Sequence, residues 1–261
     1  MTAAIRELIK YRELLFMITW RDINIKYKQS IMGFMWAILM PMLIVLTGTI
    51  VRFGMSKLSG TPLDLDQIIT VSVKAIPWAF FISSINFSTN CLLNNVNLVT
   101  KIYFPKEIFP LSAVLSQLFD FVIASAALVV FLIVVNTGVS VHLIWVPILM
   151  LVLIFLAVAL GLFLSAADLF FRDVKYIVNV ITNFAIFFTP VFYDSRLAGK
   201  WESLILLNPV APILEGLNSC IVLHQEPRIY WVLYSAFVAI LGVYLSMLVF
   251  KKLEARFAEY I

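Results

Sequence analysis

Residues 121–167 run for 47 positions without a charged side chain. A water-facing surface cannot be built from such a stretch, because soluble domains carry about one charged residue in four. The run is also too long for one crossing. A hydrocarbon layer about 30 Å thick takes about 20 helical residues. Asn136-Thr137-Gly138 divides it into two spans. Charge is scarce throughout, at 13% of 261 residues. That excludes a soluble enzyme, a disordered chain and a coiled coil. The apolar runs are continuous rather than alternating, which excludes a transmembrane barrel. An all-α integral membrane protein remains.

Uncharged segments of suitable length predict six transmembrane helices, at 31–51, 75–100, 111–135, from about 143 to 167, 176–193 and 229–250. Asp120 is the one charge inside the third. An even count puts both termini on one side. Thirteen of the 19 Lys and Arg residues fall on that side, in the N-terminal segment, the loops after spans two and four, and the tail. The excess marks it as cytoplasmic. Trp78, Trp145 and Trp231 fall near predicted outer ends, as in an interfacial aromatic belt. The start of the chain has no short apolar core followed by a small-residue cleavage site, so insertion is expected to rest on the spans themselves.

Three segments are not simple spans. Residues 1–30 interleave Ile5, Leu8, Ile9, Leu15 and Phe16 with Arg6, Lys10, Arg12 and Arg21. They predict an amphipathic helix at the interface, against the alternative of a plain charged anchor. Residues 31–250 would form the transmembrane domain and 251–261 a cytoplasmic tail. Residues 194–228 hold two apolar pieces too short to cross, split by Glu215. Two re-entrant outer half-helices fit this segment, and a surface loop is the alternative. The loop 97–110 carries an aromatic and charged core, Lys101-Ile-Tyr-Phe-Pro-Lys-Glu. It reads as a cytoplasmic docking surface or as a tight connector.

Much chemistry is absent. There is no phosphate-cradling G-x-x-x-x-G-K-[ST], no Cys/His cluster at metal spacing, and no nucleophile–base motif. Cys91 and Cys220 are too few for a disulfide framework. No catalytic residue, metal or cofactor is expected in this chain, nor a nucleic-acid partner. Asp120 reads as a hydrogen-bonded structural carboxyl or as a proton site. Asn86, Asn90, Asn94 and Asn97 recur at helical spacing and predict a polar stripe that must face protein or water.

The motifs have a recognisable order. Arg21-Asp22-Ile23, Lys26-Tyr27-Lys28-Gln29-Ser30, Gly33 and Trp36-Ala-Ile-Leu-Met-Pro41 come first. Lys101-Ile-Tyr-Phe-Pro, Phe171-Arg172-Asp173-Val174, Thr189-Pro-Val-Phe-Tyr193 and Leu207-Asn-Pro-Val-Ala-Pro212 follow. Together they resemble ABC-2 type polysaccharide exporter permeases, the membrane subunits for O-antigen, capsule and teichoic acid, with a type V exporter-like fold. The resemblance covers nearly the whole chain. It implies a homodimer in the bacterial inner membrane with two separate ATP-binding cassette subunits, which bind ATP and Mg. It implies export of a glycan on an undecaprenyl diphosphate carrier, among membrane lipids. On this chain, the loop residues Lys101, Tyr103, Phe104, Lys106 and Glu107 would contact the ATPase. Arg21, Lys26 and Lys28 would hold the lipid diphosphate. Phe34, Trp36, Phe53, Phe188 and Phe192, with Phe184 and Phe187, are candidates for a glycan path, and Arg172 and Asp173 for an ion pair shaping their loop. The alternatives are a small-drug or lipid exporter of the same superfamily, or a proton-coupled carrier using Asp120.

Overall fold

A computed structural model describes residues 2–28, 33, 35–59 and 65–257. Among these the helices run α1 (Thr2–Lys10), α2 (Arg12–Lys28), α3 (Met35–Ser59), α4 (Leu65–Asn90), α5 (Val96–Lys101), α6 (Ile108–Val134), α7 (Trp145–Phe170), α8 (Val174–Phe188), α9 (Glu202–Leu206), α10 (Ala211–Ile221) and α11 (Ile229–Glu254). No strand occurs among the described residues. Five segments are long and apolar enough to cross a membrane, or six if a bent helix pair counts as one. The expected all-helical membrane architecture therefore holds, with α8 as its short member.

Helix α4 is the centre. It packs against α3, α6, α7, α8 and α10, and α11 lies along α7. Small residues allow the close approaches. A Cβ on Gly161 of α7 would come within 2.9 Å of Ser88 Cβ on α4. A Cβ on Gly48 of α3 would stand 2.6 Å from both the Phe192 ring and Val71. Trp78 is 4% exposed and tilts against Phe81 in this core. It belongs to the packing, not to an interfacial belt.

Several expectations are corrected. The second span starts ten residues earlier than read, at Leu65, and stops at Asn90. A 3-10 turn at Leu93–Asn95 then breaks the helix, so the four asparagines do not share one helical face. Lys74, counted with an outer loop, lies fully buried inside α4. The fifth span holds only 15 residues and unwinds before Thr189, about 22 Å of rise. Its end is irregular because Pro190 cannot continue a helix.

The N-terminal segment is two helices, not one, with a turn at Tyr11. In α2, Ile18 and Ile23 are buried as the helix packs on α6, while Phe16 and Trp20 stack outward at 6.4 Å. Apolar side chains leave it on two sides, one toward protein and one outward. That is why a single amphipathic face fails to describe it.

The bent pair is real, but the break is elsewhere. Gly199–Leu206 and Ala211–Ile221 meet at 111°. The bend falls at residues 207–210, where Asn208 Oδ1 accepts the Val210 N–H at 3.1 Å and Pro209 follows. Glu215 sits inside α10 rather than dividing two pieces.

Candidate functional site

The loop before α6 and the end of α7 gather with α1 at the last turns of α11. Of the five loop residues expected to contact a partner, three face outward. Tyr103 is 98% exposed, Lys101 is exposed, and Lys106 is half-buried with its ammonium 4.3 Å from the Phe104 ring centroid. The other two correct the expectation. Phe104 is buried and tilts on Phe109 in a small core that Phe250, Phe257 and Leu169 also fill. Glu107 is buried and pairs with Lys251 of α11 at 3.4 Å, and Lys251 reaches Glu7 of α1 at the same distance. Glu254 accepts the backbone N–H of Lys106 at 3.2 Å. So Phe104 and Glu107 fix the loop to α11 and α1, and Tyr103 is what it presents.

The basic residues before α3 have partners. Arg21 donates to Asp22 at 2.8 Å and to Asn95 at 2.7 Å, joining α2 to the turn after α4. Lys26 forms an ion pair with Asp120 and donates to Gln117 at 3.2 Å. The Tyr27 hydroxyl also donates to Asp120. Burial, reinforced by that carboxylate, raises the Tyr27 phenol above its ordinary value, so it stays a donor. Asp120 is thus a paired group whose partners come from α2, and Gln117 reaches it through Lys26. Lys28 is exposed and makes no ion pair among the described residues. A cavity of about 460 Å³ opens beside this cluster, walled by Trp36, Phe80, Phe87 and Phe121.

The glycan-path aromatics divide. Phe34 lies outside the described residues. Trp36, Phe53, Phe184, Phe187 and Phe188 are exposed. Phe192 is buried against Gly48 and cannot line an open path in this conformation. Arg172 and Asp173 are exposed and make no ion pair with each other. The α7–α8 corner is shaped instead by buried Asp168, whose Oδ1 accepts the Lys175 N–H at 3.0 Å.

Two features escaped the sequence reading. The first is on α8, where Asn179 and Asn183 are exposed and bonded to each other at 2.9 Å, among exposed Phe184, Phe187 and Phe188. Hydrocarbon does not accept such amides, so this face needs protein or water. Asn86 of α4 meets Thr182 beside it, at 3.4–3.5 Å. The second is an ionic knot at the far end of the bundle. Lys74 pairs with Glu215 of α10 at 2.9 Å and donates to the Tyr193 carbonyl at 3.0 Å. Arg52 of α3 donates to the Phe192 carbonyl at 2.7 Å, and Glu215 accepts the Ser195 N–H at 2.9 Å. Three polar groups of the non-helical backbone after α8 are thereby satisfied by α3, α4 and α10.

The fold is thus a helical membrane bundle with an exposed aromatic loop at one end and a pinned irregular segment at the other. The chain belongs to the ABC-2 type transporter family, whose model matches residues 13–222. It is a multi-pass membrane protein. It is similar to the O-antigen export system permease protein RfbA of Myxococcus xanthus, with 25% identity over 264 residues and all of both chains covered. Two proteins of that name from Klebsiella pneumoniae are 25% and 26% identical, each over 95% of this chain and 94% of their own length.

Proposed function

We propose that the chain is the permease subunit of an ATP-driven exporter that moves a polysaccharide of O-antigen type, carried on undecaprenyl diphosphate, across the inner membrane. It works as a homodimer with two ATP-binding cassette subunits, which bind ATP and Mg, and both termini are cytoplasmic. Full-length similarity to O-antigen permeases supports the substrate class. The observation that carries the geometry is the α8 face, where paired amides and aromatic rings stand uncovered side by side. Amide groups hydrogen-bond sugar hydroxyls and aromatic faces meet sugar C–H groups, so such a face suits a glycan passing between two copies.

The energy enters at Tyr103. A partner pushing there moves a loop tied by Glu107 and the Lys106 N–H to Lys251 and Glu254 of α11. The push is therefore passed to α11 and, through its packing, to α7. The carrier's diphosphate is met by Lys28 at the inner interface, because Lys26 is already balanced by Asp120 and Arg21 by Asp22. Tyr103→Ala removes an almost wholly exposed ring and leaves the core intact. It is expected to keep wild-type folding, with a melting temperature unchanged within about 1 °C, a typical surface-substitution effect. Surface display of the glycan, read by immunoblot, is expected to fall at least about tenfold, as for loss of an interface anchor. Unchanged display and unchanged co-purification with an ATPase would remove the coupling assignment.

A further inference from the structure

The resemblance gives Lys26 to a lipid diphosphate, but the chemistry of the cavity beside it argues for a different ligand. Its charges cancel, because Lys26 and Asp120 are paired. A dianion brought to this cavity would meet the Asp120 carboxylate, and Lys26 has no charge to spare. The cavity is largely apolar, and the few hydrogen-bonding groups it carries have no net charge. Asp120 is a carboxylate with further acceptor positions, Gln117 is a planar amide, and Tyr27 is a phenol held protonated. These groups stand against aromatic walls, with Trp36 40% exposed and Phe87 45% exposed. Neutral hydroxyls pair with such carboxylate and amide groups. Sugar C–H groups, made positive by their oxygens, pack on the negative face of an aromatic ring. The volume, about 460 Å³, lies within the roughly 300–1,000 Å³ of small-molecule sites. On α4 it extends from Phe87 to Ile76, about 16 Å along the helix, from the interface toward mid-depth.

We infer that this cavity is a binding site for an uncharged sugar unit, hydrogen-bonded by Asp120 and stacked on Trp36. The inference rests on the polysaccharide reading and adds to it a place where the glycan, rather than its diphosphate, is recognised. Lys28, the next residue but one after Lys26, stays outside the cavity to meet the phosphates.

The test uses the full-length chain in a sugar-free polyoxyethylene detergent. Octyl β-glucoside and octyl phosphate, which share one tail, are the probes, and native mass spectrometry counts the adducts. The glucoside is expected to be retained about fivefold over the phosphate, and Trp36→Leu to lower its retention about fivefold, the effect of one aromatic contact. Trp36→Leu leaves the Lys26–Asp120 pair in place, so folding is preserved. Phosphate retained as well as glucoside, or glucoside unaffected by Trp36→Leu, overturns the site. Glycan display by the wild-type chain is measured in parallel. Display without glucoside preference overturns the site alone. Glucoside preference without display overturns the exporter reading and leaves the sugar site standing.

Discussion

Lys74→Ala is expected to lower the free energy of unfolding by about 3–5 kcal/mol, the cost of stranding one member of a buried ion pair. Lys74 is completely buried, and its removal leaves Glu215 inside the bundle without its cation. The Tyr193 carbonyl loses its donor in the same step. The double change Lys74→Met with Glu215→Leu removes both charges and is expected to recover most of the loss, since an apolar pair of similar volume can replace a buried salt bridge. Thermal unfolding in micelles measures all three proteins. A single variant as stable as the parent would show that the pair does not hold α10 to α4.

Gly48→Val is the second large effect. The added Cβ meets Phe192 and Val71 at 2.6 Å, so α3 must move away from α4 and from the segment after α8. Overpacking of this kind costs about 1–3 kcal/mol. The displacement also pulls Arg52 from the Phe192 carbonyl. Glycan display is expected to be abolished while some folded protein remains. Gly54→Ala, six residues along the same helix, meets nothing within 4 Å. It is expected to leave display intact and to stabilise the helix by about 0.5–1 kcal/mol. Equal losses from both would place the cause in helix flexibility rather than in the close contact.

The spans were legible because charge is expelled from hydrocarbon, so its absence marks them. The same rule misplaced Lys74. A charge within ten residues of a span end looks like a loop, and only the position of Glu215, 141 residues away, shows it to be paired inside. Asp120 was recognised as a buried carboxyl needing partners, but its cation lies 94 residues upstream on α2. The asparagine stripe failed for a local reason. Periodicity assumes one continuous helix, and the chain turns after Asn90. In the loop, composition could not separate Tyr103 from Phe104. Neighbouring aromatics point opposite ways once Pro105 follows, and burial alone tells the presented ring from the anchoring one.

The knot at the far end has an electrical consequence. Arg52 and Lys74 are two cations, and Glu215 with the nearby Asp194 supplies two carboxylates. A lone charge shifted across a membrane potential does work of about 2.3 kcal/mol per 100 mV. A group of four whose formal charges sum to zero does none when it moves as a unit. Arg52 and Lys74 stand on α3 and α4, so a shift works neither with nor against the voltage only when the ends of those helices travel with the irregular segment and α10; the segment and α10 moving alone would leave both cations behind.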